Sequence, residues 1–280
     1  MFPMSVRAKL RRTAVALGTR LFQVLPGGFG DGRLRRSIVV RRRGEDIFRM
    51  RDLGPLTRMR AETFESKEPE TLEWIEGFDI ADSLLDVGAN IGIYSLFAAS
   101  RGCSVVAAEP DALNFAVLHE NIRLNLGRLS GAIQAYPVAF HDSMSVSTLN
   151  VSSSEWGAAL SAFGNTIDYK GDEFQPLFSQ GCIGIAVDDF LEHVDFVPTH
   201  IKIDVDGNEL FVIQGALRTI QANELRSVLV ELDERRPDYS KCVELLVNSG
   251  LSLDKKLQSS VVSTSVFSHS FNHVFRRRSK

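Results

Sequence analysis

From Leu84 onward the chain alternates short apolar runs with amphipathic stretches, and this rhythm constrains the fold more than any other feature. Runs rich in Val, Ile, Leu and Ala stand at 84–88, 104–109, 133–138, 183–187, 199–204 and 227–232. Between them, 92–101, 111–126, 206–221 and 238–249 carry the three-and-four spacing of a helix with one apolar face. Strands that alternate with helices pair in parallel, and helices cover both faces of the sheet they form. The spacing therefore predicts an α/β fold of the Rossmann-like, doubly wound kind, with a mainly parallel sheet. The last stretch, from "SLDKKLQSS" to "FNHVFRRR", has no intervening helix and is expected to close the sheet with a strand pair. Residues 141–182, with their Ser, Gly and Asn, break the rhythm and read as short strands with a long loop.

A chain of 280 residues suffices for one such domain with an appendage, and charge marks where the appendage ends. Residues 1–60 hold 15 Lys and Arg against 4 Asp and Glu; the remaining residues hold 17 against 31. We expect a basic helical arm over 1–60 and a catalytic-type domain over 61–280. In the arm, Val6, Leu10, Ala14, Leu17, Leu21 and Val24 recur as one side of a helix would require. Such a helix docks on the domain or lies against anionic lipid. No apolar run approaches the roughly 20 residues of a membrane span, and "AVAL" is too short for a signal-peptide core. The expectation is a cytoplasmic protein, with peripheral membrane contact through residues 1–60 as its variant. Cys103, Cys182 and Cys242 lie far apart, so neither a disulfide framework nor a metal site is indicated. The acidic stretch 61–83 reads as a helical lead-in, with Pro69 in a first turn and Leu72, Trp74 and Ile75 on a buried face.

The first strand ends in "LLDVGANIGIYS", where Asp86 precedes a turn containing Gly88, Asn90 and Gly92. Doubly wound sheets bind ligands at the carboxyl ends of their strands, and glycines there let the backbone approach the ligand. A dinucleotide fingerprint would need a third glycine in GxGxxG, which is missing. An acid ahead of the turn repels phosphates and suits a cation; S-adenosylmethionine carries a sulfonium and an ammonium and no phosphate. The second strand ends in Glu109, 23 residues beyond Asp86, where a carboxylate can accept hydrogen bonds from both ribose hydroxyls. Asp86, Gly88, Asn90, Gly92 and Glu109 are thus the expected cofactor residues. Asp142, after the third strand, is expected at the adenine edge.

Seven stretches in colinear order resemble the FkbM-type S-adenosylmethionine-dependent methyltransferases: "EPETLEWI", "DVGANIGIYSLFAA", "AAEPDALNFAVLHENIRLN", "VDDFL", "IKIDVDGNELFVIQGA", "VLVELDE" and "FNHVFRR". The resemblance spans residues 62–277 and implies a class I methyltransferase fold and methyl transfer to oxygen, with hydroxyls of sugars and natural products as acceptors. Asp206 departs from it, since the family more often has Glu there.

"IKIDVDGNE" is the candidate catalytic floor, placing Lys202, Asp204, Asp206 and Glu209 at the ligand rim. Methyl transfer is a direct displacement, so alignment of the acceptor oxygen matters most, and a carboxylate within reach takes its proton. Asp204 is the first candidate for that base, Glu231 the substitute, and Lys202 their catalytic neighbour; the opposing reading makes Asp204 a helix cap. Trp156 and Phe163 have two readings, lining an acceptor pocket or covering the core. Four other readings compete. RNA methylation would use the arginine-rich arm, but the core is acidic and no RNA-binding module is recognisable. The [DNS]PP[YF] element of DNA amino-methylating enzymes is absent. A nicotinamide dehydrogenase lacks its third glycine. A non-catalytic cofactor-binding module of a membrane or glycan-assembly complex would bind cofactor without turnover.

Overall fold

The computed structural model describes residues 36–278, so most of the basic arm, its amphipathic stretch and any lipid contact there lie outside the described residues. Three sheets are present among these residues. The hairpin β1 (Ser37–Arg42) and β2 (Glu45–Arg51) forms the first. The central sheet combines β3 (Ser83–Val87), β4 (Ser104–Ala108), β5 (Ile133–Tyr136), β10 (His200–Ile203), β11 (Ser227–Asp233), β12 (Leu251–Leu257) and β13 (Ser270–Arg277). Its order is β12-β13-β11-β10-β3-β4-β5. The five strands from β11 to β5 run parallel, and β13 is antiparallel to both β11 and β12. The expected strand pair at the end of the chain therefore closes the sheet.

Alternation along each strand divides the core in two. Leu84, Val105 and Ala107 pack on one face with Trp74, Ile75 and Phe97; Leu85, Val87, Val106 and Ala108 pack on the other with Val212, Ile213 and Leu246. Because helices cover both faces, β3 is buried at all five positions, which explains its continuous apolar run.

Two expectations fail on tertiary grounds. The run 183–187 falls in β9 (Phe178–Ala186), which lies in a separate four-stranded sheet with β6 (Ala139–His141), β7 (Ser145–Val151) and β8 (Ala162–Phe163). A period of two identifies a strand and leaves its partner open. The domain also starts earlier than residue 60. Val40, Phe48 and Met50 of the hairpin are buried in the first core, and Asn125 and Asn121 accept the N–H groups of Arg49 and Arg51 at 2.8 and 2.7 Å. The compact unit runs from Ser37; of the arginines that obscured this, Arg41, Arg42, Arg43 and Arg51 are ion-paired, Arg42 with Glu76 at 2.9 Å. No helix among the described residues is long and apolar enough to cross a membrane.

Candidate active site

The strand order reverses between β3 and β10, because the chain builds outward through β4 and β5 before returning to β10 and β11. At such a point the loops leaving adjacent strands diverge and open a crevice. Gly88 stands at its floor with φ +79°, and a Cβ there would lie 1.9 Å from the carbonyl oxygen of Asp204, so only glycine lets the ends of β3 and β10 meet. Gly92 answers a different need: at φ +85° it adopts the left-handed backbone that starts the helix Ile93–Ser100, and it packs against the Leu118 side chain of the helix Ala112–Leu124.

Two adjoining cavities open above these strand ends. The first is lined by Gly88, Asn90, Glu109, Asp111, Asn114, Asp204 and the apolar group Val138, Ala139, Phe140 and Leu149. Glu109 accepts the N–H of Asn90 at 2.7 Å and that of Asp111 at 2.9 Å, so it organises both neighbouring loops as well as facing the cavity. Burial pushes its carboxyl up to about 8. Asn90 and Asn114 donate to the carbonyl of Ala158 at 2.6 and 2.9 Å, and Arg60 to that of Gly157 at 2.8 Å. Together they hold the 157–158 segment over the cavity. Asn114 and Arg60 have no motif of their own; the pairing of a loop with a distant helix carries no periodic signal.

The second cavity is lined by Lys67, Glu68, Glu70, Asp206, Glu209, Glu231, Asp233 and Arg236, with Tyr169, Phe267 and Asn272. Its carboxyls outnumber its cations, and both cations are engaged: Lys67 donates to Glu68 at 2.8 Å, and Arg236 pairs with Asp238 at 2.9 Å. Burial and the charge of Asp204 raise Glu231 well above the ordinary carboxylate range. Burial brings Glu209 to about 7, and burial with Asp204 brings Asp206 to about 6. Asp204 goes the other way. Burial opposes its charge, but Lys202, whose Nζ lies 2.7 Å from Oδ2, holds it down to about 2.

The structure thus brings Gly88, Asn90, Glu109 and Asp204 to the first cavity and Glu231 to the second. Four expected site residues stand elsewhere. Asp86 is 1% exposed, accepts from Ser95 Oγ at 2.5 Å and lies beside Lys202, so its charge is directed into the sheet. Gly92 packs a helix. Asp142, just beyond the end of β6, bonds His141 at 2.9 Å and Ser143 at 2.8 Å and lines neither cavity. Lys202 is 1% exposed and reaches neither cavity; it positions Asp204 and lies 5.0 Å over the Tyr94 ring. The aromatic expectation shifts as well. Phe163 lines the first cavity, Trp156 neither, and the second takes Tyr169 and Phe267.

A doubly wound sheet of this order, with a glycine floor, an acid ending the second strand and no phosphate-binding glycine run, defines the class I methyltransferase fold. Residues 86–257 match the methyltransferase FkbM domain, and the chain belongs to that family of S-adenosylmethionine-dependent methyltransferases. Similar solved structures include methyltransferase FkbM from Methylobacillus flagellatus KT, 14% identical with TM-score 0.48 over 79% of this chain and 52% of that one. The chain thus spans about half the length of the Methylobacillus protein. Magnesium protoporphyrin IX methyltransferase of Synechocystis PCC 6803 with bound SAM is 9% identical, TM-score 0.47, over 81% and 86%. The tRNA m1G37 methyltransferase of M. jannaschii is 11% identical, TM-score 0.45, over 90% and 59%. No curated protein matches the chain.

The residues present fit the cofactor. Glu109 faces the first cavity at the end of β4, where a ribose is held in such sheets, and Val138, Phe140 and Leu149 offer an apolar wall for a flat base. No group of three or more His, Cys, Asp or Glu placed to hold a metal ion occurs among the described residues.

Proposed function

We propose that this chain transfers a methyl group from S-adenosylmethionine to a hydroxyl of a sugar, glycan or other polyhydroxylated natural product. The observation that carries this reading is the second cavity, which adjoins the cofactor cavity and combines carboxyls with the paired rings of Tyr169 and Phe267, 4.8 Å apart. Carboxyl oxygens accept from hydroxyls, and aromatic faces cover the C–H side of a sugar ring. Glu109 and the backbone of Gly88 hold the cofactor, whose sulfonium supplies an electrophilic methyl. Asn90, Asn114 and Arg60 keep the 157–158 segment closed over it and exclude water. Lys202 fixes Asp204 at the wall of the cofactor cavity.

RNA is a poorer acceptor for this cavity, because a phosphodiester would meet carboxyls while Lys67 and Arg236 are already paired. The test is tritiated methyl transfer from S-adenosylmethionine to a panel of free sugars, cyclitols and unmodified RNA, with the product's methyl position fixed by NMR. An O-methyl product from a polyol is expected. Transfer to RNA alone, or tight binding of S-adenosylhomocysteine with no transfer to any member, would refute the reading.

A further inference from the structure

The two cavities meet along a short seam, and the transferred methyl has to cross it, since its donor lies on one side and its acceptor on the other. Three residues line both cavities: Lys67, Ala159 and Asp206. Ala159 has no titratable group. Lys67 already carries its proton, and Glu68 accepts from its ammonium at 2.8 Å. Resting on the methyl-transfer reading above, we propose that Asp206, the one side chain on this seam among the described residues able to accept a proton, is the general base that deprotonates the acceptor hydroxyl.

The backbone supports that role. Asp206 is held at φ +55°, a left-handed conformation that costs an aspartate roughly 1 kcal/mol and is kept where the surroundings require it. Gly207 follows at φ +117°, so the helix expected from residue 206 starts only at Glu209. The kink turns the Asp206 carboxyl toward the seam. Its Oδ2 accepts the N–H of Leu160 at 2.7 Å, which fixes the group and leaves Oδ1 for the acceptor.

The neighbouring carboxyls suit the role less well. Asp204 lines only the cofactor cavity and is tied to Lys202, whose ammonium keeps it a weak base. Glu231 lines only the acceptor cavity, across the seam from the methyl donor, and burial with the charge of Asp204 raises it well above the ordinary carboxylate range. Asp206, raised to about 6 by burial and by Asp204, is ionised at pH 7 yet basic enough to hold a proton as the barrier is crossed. The acceptor's O–H bond breaks as its oxygen bonds the methyl carbon; the proton moves to Oδ1 of Asp206, and the electron pair of the methyl–sulfur bond leaves with sulfur.

The test compares Asp206→Asn with Asp204→Asn. Asn tolerates the left-handed backbone and can still accept from Leu160, so the first variant removes little besides the base. With the most active hydroxyl acceptor of the panel, Asp206→Asn should lower kcat by roughly 10²–10⁴-fold and abolish the acidic limb of the pH profile. Its affinity for S-adenosylhomocysteine by calorimetry should stay within about threefold, and Asp204→Asn should keep the limb. Independently of turnover, carbon-13 spectra of aspartate-labelled protein should show a carboxyl titrating about two pH units above a free aspartate, absent in Asp206→Asn. Turnover within tenfold, a retained acidic limb, or a missing titration would overturn the assignment while leaving methyl transfer standing. A wild-type protein that binds S-adenosylhomocysteine and methylates no hydroxyl would overturn the methyl-transfer reading, and the base with it.

Discussion

β10 carries a buried polar cluster at each end. At its start, His200 is 3% exposed, with Nδ1 2.7 Å from Ser227 Oγ and Nε2 3.1 Å from Asp82. Trp74 donates to Ser227 at 2.9 Å, Arg226 lies 2.8 Å from Asp82, and the Phe78 ring stacks on the imidazole at 3.7 Å. The Ser–His–Asp order resembles a nucleophilic triad, but neither cavity reaches it, and every polar partner is another protein group. At the other end, Asp204, Asp206 and Glu231 face open space, and carboxyls outnumber the cations around them. A buried polar cluster whose groups satisfy one another stabilises the sheet. Excess charge beside open space is instead available for a ligand.

Removing the first cluster is the largest expected effect on stability. His200→Ala loses the stacked ring and two hydrogen bonds, and should cost about 3 kcal/mol in urea unfolding. Affinity for S-adenosylhomocysteine should not change by more than about twofold. A parallel loss of affinity would break the distinction between the two ends.

The two ends should also depend on pH in opposite senses. Burial holds His200 down to about 4, below its unfolded value, so the unfolded chain binds the proton first. Stability from this ring is present above about pH 6.5 and is lost as pH falls toward 4, by up to about 3 kcal/mol. Glu209, raised by burial to about 7, does the reverse: the native state keeps the proton, and stability present below about pH 4.5 is lost as pH rises to 7. The profile of Glu209→Gln minus wild type should therefore climb by up to about 3 kcal/mol from pH 4.5 to 8. A flat difference profile would show that this end is not strained by its charge.

The smallest effects separate residues within the cofactor end. Glu109→Gln replaces an acceptor of two backbone N–H groups and should weaken S-adenosylhomocysteine by about tenfold, near 1.4 kcal/mol. Asp142→Ala should change it by less than about twofold, since Asp142 lies outside both cavities. Equal effects from the two would return Asp142 to the site.

The strand and helix alternation from Leu84 onward and the terminal strand pair were legible, because they are local periods that burial imposes residue by residue. Glu109 was legible for a related reason: a strand end fixes a position in the fold. The hairpin Ser37–Arg51 was obscured because its alternation is written between arginines, and composition outweighed pattern. Asp142 was placed by its distance after a strand, but β6 meets the cavity through Ala139 and Phe140, and Asp142, beyond its end, lies outside. The catalytic floor shows the limit most clearly. Sequence placed Lys202, Asp204 and Asp206 in one strand-end motif and put Asp204 first on its strand-end position alone. Rank depends on which carboxyl meets the buried ammonium, which lines both cavities and which backbone bends left-handed. The ammonium is Lys202, two residues from Asp204, but its burial, the N–H of Leu160 on Asp206 and the charges of Glu231 and Lys67 come from distant parts of the chain that only folding brings together.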